Sequence, residues 1–105
     1  MTDNEFSLTL NLRDGYAQEV TFDGSSLAAM VIDELPPVGA GEGPNPARVL
    51  GTAVGGCLAA SLAFCLRKGH IDVLGLTTRV RGTLAKNERG RLRGTDVHVL
   101  LELVV

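Results

Sequence analysis

The chain of 105 residues has no tryptophan, one tyrosine, three phenylalanines and two cysteines. Two cysteines do not build a disulfide scaffold, and the four-ligand spacing of a structural zinc site is absent. Met1-Thr-Asp-Asn-Glu5 lacks the basic start and apolar stretch of a secretory leader, so a cytoplasmic, reducing setting is expected. Aromatic residues occur only at Phe6, Tyr16, Phe22 and Phe64, too few and too scattered for a platform that stacks single-stranded nucleic acid. Gly39-Ala-Gly-Glu-Gly43 carries neither the lysine nor the hydroxyl of a P-loop, and no dinucleotide fingerprint matches. His70 and His98 sit in no metal-ligand pattern, and no Ser/His/Asp order stands out. No cofactor and no metal are expected.

What is present suits a globular protein. Hydrophobic residues make up 45% and charged residues 21%, which argues against disorder. One core can be built at this length, so residues 1–105 are read as a single domain. The net charge of -2 hides an asymmetry. Residues 1–47 hold one base, Arg13, and eight acids, for -7; residues 48–105 hold nine bases and four acids, for +5. Arg79, Arg81, Lys86, Arg89, Arg91 and Arg93 crowd one hairpin. A nucleic-acid-binding module using residues 79–93 is therefore an alternative, although a solvated face balancing the acidic half is favoured.

Phe6-Ser-Leu-Thr-Leu-Asn-Leu12 alternates strictly, the period of a half-buried strand with Phe6, Leu8, Leu10 and Leu12 on one face. Arg13-Asp14-Gly15 turns the chain into a returning strand, Gln18 to Phe22, and a third short strand spans Leu27 to Ile32. Pro36 to Pro46 is a loop. Asn45-Pro46 then opens a helix, and Arg67-Lys68-Gly69 closes it, with glycine expected at the left-handed position. Between them, Val49 to Leu66 runs without a charge. Gly51, Thr52, Gly55, Gly56 and Ser61 dilute this stretch, so it reads as a helix buried on nearly all sides and not as a membrane span. Two long strands follow, joined by Lys86-Asn-Glu-Arg-Gly90. The order βββ-α-ββ makes an α+β fold with antiparallel strands packed on a long central helix.

Both thiols lie on that helix. Eight residues of regular helix separate Cys57 from Cys65 by about 12 Å of rise, beyond the roughly 7 Å between α-carbons that a disulfide tolerates. Cys57 is also too deep to gain from the helix N-terminus, so reactivity there needs a cation or donor brought from elsewhere. On residue chemistry alone, a core-packing role stays open.

Ile32-Asp-Glu-Leu-Pro36, Gly43-Pro-Asn-Pro-Ala-Arg-Val-Leu50 and Ala53-Val-Gly-Gly-Cys-Leu-Ala-Ala60 together resemble the OsmC/Ohr superfamily (osmotically inducible protein C and organic hydroperoxide resistance proteins). The resemblance implies a thiol-dependent peroxidase of oxidative-stress defence, reducing organic hydroperoxides through a sulfenic acid at Cys57. It also implies a second thiol that resolves the sulfenic acid, a dithiol reductant, and an intertwined homodimer with its sites at the subunit interface. Arg13 is the candidate thiolate stabiliser by position.

Two departures qualify this. Ala47 stands where the Ohr branch has a glutamate that holds the arginine, so the chain resembles the broader OsmC-like branch. The family's resolving cysteine lies on a helix beyond the last strand, and the expectation is a C-terminally incomplete subunit. A non-catalytic or truncated dimerisation domain without turnover is the second alternative. No membrane partner is expected, and nucleic acid is disfavoured.

Overall fold

The computed structural model describes residues 5–90 and 92–105, apart from the side chains of residues 92, 93 and 95. Strands β1 (Leu8–Leu12), β2 (Gln18–Phe22) and β3 (Met30–Ile32) come first. Helix α1 (Pro46–Lys68) follows, then strands β4 (Gly75–Lys86) and β5 (Leu92–Val104). This is the expected α+β order. The chain forms two compact units, one ending at Pro46 and one beginning at Ala47.

In the first unit β1, β2 and β3 form an antiparallel sheet in that order, with Leu10 opposite Val20 and Val20 opposite Met30. The β1–β2 turn needs a left-handed residue, which Gly15 supplies at φ 74°. Its core is small: among the described residues Ala17, Val20 and Ile32 are the buried apolar side chains. The face of β1 expected to be half-buried is not. Leu8 and Leu10 are 41% and 45% exposed, and Phe6 lies outside the strand. Alternation reports a strand's period, not what covers its face, and β1 is an edge strand. The third strand is also shorter than expected, because β2 pairs with it only from Gln18 to Val20.

The loop after β3 is organised by one buried side chain. Asp33, 2% exposed, accepts hydrogen bonds from the backbone N–H groups of Glu34 at 2.7 Å and of Ala40 and Glu42 at 3.2 Å each. Its own N–H donates to the Pro44 carbonyl at 3.1 Å. A β-carbon at Gly39 would overlap the Glu34 carbonyl and approach Asp33 Oδ1 to 2.5 Å, so the loop closes only over glycine there.

In the second unit α1 lies on the β4–β5 hairpin. A β-carbon at Gly55 would stand 2.6 Å from Val80 Cγ2 and 3.4 Å from Thr78 Cγ2, so glycine is what lets the helix sit this close to β4. Gly55 is also the one buried residue of α1. A helix buried on nearly all sides was expected, yet Leu50, Leu58 and Phe64 are all exposed. A two-stranded sheet covers a single face of a helix, and the rest of this apolar surface stays open. By length and composition alone α1 could cross a membrane, with a mean hydropathy of 2.0.

The helix ends one residue later than glycine chemistry suggests. His70, at φ 63°, takes the left-handed position, while Ile71 N–H donates to Leu66 O at 2.9 Å and His70 N–H to Arg67 O at 3.0 Å. Those two bonds define a Schellman end with Gly69 as the C-cap. β4 and β5 pair from Gly75–Val104 to Lys86–Leu92, with a bulge between Thr83 and Leu84.

Candidate functional site

Cys57 lies in the middle of α1, about 16 Å of rise from its first residue, as a free and exposed thiol. It points away from the sheet. At 100° per residue it stands about 160° round the helix from Gly55, the residue seated on β4. Its neighbours on the open face are apolar or small: Leu50, Ala53, Ala60, Ser61 and Phe64. One turn further on, Ala60, Ala63, Phe64, Arg67 and Lys68 border an open depression of about 540 Å³. Lys68 Nζ rests 5.9 Å from the Phe64 ring centroid, a cation–π distance. The face therefore offers a thiol one turn from a shallow, open apolar depression with two cations at its far end.

Arg13 belongs to the first unit and Cys57 to the second. Arg13 follows β1, where its N–H donates to the Ala17 carbonyl at 2.8 Å and closes the hairpin. Its guanidinium is paired with the Glu19 carboxylate. Sequence reading missed Glu19, although the signal is there: once Leu12 opposes Gln18 and Arg13 bonds Ala17, Glu19 is the diagonal neighbour of Arg13. A carboxylate thus holds this arginine even though position 47 is alanine.

Cys65, the second free thiol, is also exposed. The basic hairpin is partly neutralised, since Arg79 Nε donates to Glu102 Oε1 at 2.7 Å across β4 and β5. Arg81 stands opposite His98 in the register. Arg91 lies outside the described residues, as does the side chain of Arg93. Among the described residues no three His, Cys, Asp or Glu side chains gather as a metal site would require.

Residues 39–104, more than half of the chain, match the sequence profile of the OsmC-like proteins. A comparison with curated protein sequences finds no match. Among solved structures, the chain is similar to a protein from Psychrobacter arcticus 273-4 provisionally assigned to osmotic stress induction and the detoxification response. The TM-score is 0.80 at 18% identity, covering 97% of this chain and 72% of that one. It is similar to an OsmC-like protein from Mycoplasma pneumoniae, with a TM-score of 0.78 at 17% identity, covering 97% and 70%. An OsmC-like protein of unknown function from Vibrio cholerae O1 biovar eltor str. N16961 gives a TM-score of 0.75 at 19% identity, covering 99% and 75%.

Proposed function

Because the chain belongs to the OsmC-like protein family, we propose that it is a thiol-dependent peroxidase that reduces organic hydroperoxides, with Cys57 as the peroxidatic nucleophile. The observation that carries this reading is the placement of Cys57. It is an exposed thiol at the centre of α1, on the open apolar face of the helix. A buried structural cysteine would be inert; an accessible one reacts if its thiolate is stabilised. Arg13 is the proposed stabilising cation, with its guanidinium oriented by Glu19.

In this mechanism the Cys57 thiolate attacks one peroxide oxygen. The S–O bond forms as the O–O bond breaks, the alcohol leaves after taking a proton, and Cys57 becomes a sulfenic acid. A thiol then displaces water from the sulfenic sulfur to give a disulfide, and a dithiol reductant restores both thiols. The apolar face around Phe64 favours a substrate with an apolar tail over hydrogen peroxide.

The working unit is proposed to be a homodimer. Within the second unit, the open face of α1 leaves Leu50, Leu58 and Phe64 exposed, an apolar surface of the kind a partner chain covers. The test is consumption of cumene hydroperoxide in the presence of a dithiol. Wild type is expected to turn over repeatedly and Cys57→Ser to show no catalysed rate; equal rates remove Cys57 from the mechanism.

A further inference from the structure

We propose that Asp14-Gly15 is a modification site, where the β1–β2 turn converts to an isoaspartyl linkage and its backbone is rerouted through the Asp14 side chain. An aspartate followed by glycine is the most open to this reaction, because glycine has no side chain to shield the attacking amide nitrogen. The chain holds two such pairs, Asp14-Gly15 and Asp23-Gly24. Residue type and exposure do not separate them. Both aspartates are exposed, and both glycines are left-handed, at φ 74° and 67°.

Hydrogen bonding does separate them. The Thr9 hydroxyl donates to the Asp23 carboxylate, 3.1 Å from Oδ1 and 3.3 Å from Oδ2, and the Asp23 N–H donates to the Ser7 carbonyl at 3.1 Å. These contacts tie Asp23 down at both side chain and backbone, and turning its carboxyl towards the Gly24 nitrogen breaks the Thr9 bond. Asp14 has no such restraint. Among the described residues neither its carboxylate nor the Gly15 N–H takes part in a hydrogen bond. The space is open as well, since a β-carbon at Gly15 would meet nothing within 4 Å.

The reaction needs only water. The Gly15 nitrogen attacks Cγ of the Asp14 carboxylic acid, the N–Cγ bond forms, and the amide proton and the hydroxyl leave as water. Water then adds to the main-chain carbonyl carbon of Asp14 in the cyclic imide. The bond from that carbon to nitrogen breaks and leaves a free carboxyl there. The main chain now runs through Cβ and Cγ, lengthened inside the turn that the Arg13 N–H closes on the Ala17 carbonyl. That strains the pairing of Arg13 with Glu19, so conversion should slow the oxidation of Cys57. This last consequence rests on the proposed role of Arg13; the modification itself does not.

The experiment holds the full chain at neutral pH and physiological temperature for several weeks and maps isoaspartate by electron-transfer mass spectrometry of its peptides. Wild type should accumulate it at residue 14, and at residue 23 about 10-fold more slowly, the weight of one hydrogen bond to a charged group. Asp14→Glu, whose imide ring is larger and harder to close, should show no conversion at residue 14. Thr9→Val, a substitution that suits a strand, should speed conversion at residue 23. Equal rates at the two sites, no isoaspartate at residue 14, or an unchanged rate at residue 23 in Thr9→Val overturns the inference. Isoaspartate at residue 14 with Cys57 still oxidised by cumene hydroperoxide at the fresh rate supports the modification site and removes Arg13 from the peroxidase reading.

Discussion

The Arg13 guanidinium donates to the carboxylate of Glu19, its diagonal neighbour on the β1–β2 hairpin. Both side chains are partly exposed, at 46% and 40%, so the pair adds little to stability, about 0–1 kcal/mol. Its value is orientation. If Arg13 serves the Cys57 thiolate, Arg13→Ala should slow Cys57 oxidation by about 10²-fold, the scale for losing one charge-stabilising donor. Glu19→Gln should slow it less and leave the thermal midpoint nearly unchanged. Stopped-flow oxidation by cumene hydroperoxide, beside a melting curve, checks both; an unchanged rate in Arg13→Ala removes the arginine from the mechanism.

Gly55 and Gly56 are neighbours with opposite expectations. A β-carbon at Gly55 meets Val80 at 2.6 Å, whereas one at Gly56 meets nothing within 4 Å. Gly55→Ala should therefore destabilise the protein by about 1–3 kcal/mol through overpacking, despite alanine's better helix propensity. Gly56→Ala should gain up to about 1 kcal/mol from that propensity alone. Urea unfolding of the two variants separates them, and equal shifts of the same sign would contradict the packing of α1 on β4.

Removing the Asp33 carboxylate orphans the N–H groups of Ala40 and Glu42 together with that of Glu34. Asp33→Ala should cost about 2–4 kcal/mol, since hydrogen bonds to a charged group are worth about 1.5–3 kcal/mol and solvent repays part of the loss. Hydrogen exchange should show faster amide exchange across residues 34–42 than in wild type. Protection that stays at the wild-type level there would assign the loop's order to something other than Asp33.

Phe64 gives the depression its apolar wall, so Phe64→Ala should affect substrates unequally. The KM for cumene hydroperoxide should rise by about 10-fold, in keeping with the loss of aromatic burial worth 1–3 kcal/mol. Hydrogen peroxide, with no apolar tail, should be handled as before. A parallel loss for both peroxides would mean that the depression does not bind substrate.

Much of this was legible in the residues. Strict alternation marked β1, Asn45-Pro46 marked the start of α1, and Arg67-Lys68-Gly69 marked its end to within one residue. The Cys57 motif carried the family, which the profile match over residues 39–104 supports. What stayed hidden was long-range. Burial of β1 and α1 depends on what lies against them, and periodicity does not encode that. The left-handed position fell to His70 because the hydrogen bonds of Ile71 and His70 fix the helix end, and they form one residue beyond where glycine preference alone would put them. Glu19 escaped notice because its partner is defined by hairpin register, not by proximity in sequence. Asp33 was visible as part of a motif, but its grip on Ala40 and Glu42 required the closed loop.

That grip has a consequence for how freely the segment can be rewritten. The Asp33 carboxylate takes hold of backbone amides, which every residue except proline supplies. The side chains at Val38, Ala40 and Glu42 are exposed and carry no part of the closure. Provided that Asp33, Gly39 and Gly43, where a β-carbon would overlap the Val31 carbonyl, are kept, these positions can be exchanged or labelled with the loop's path intact. The segment is a ready attachment point for a fluorophore or affinity tag on this protein.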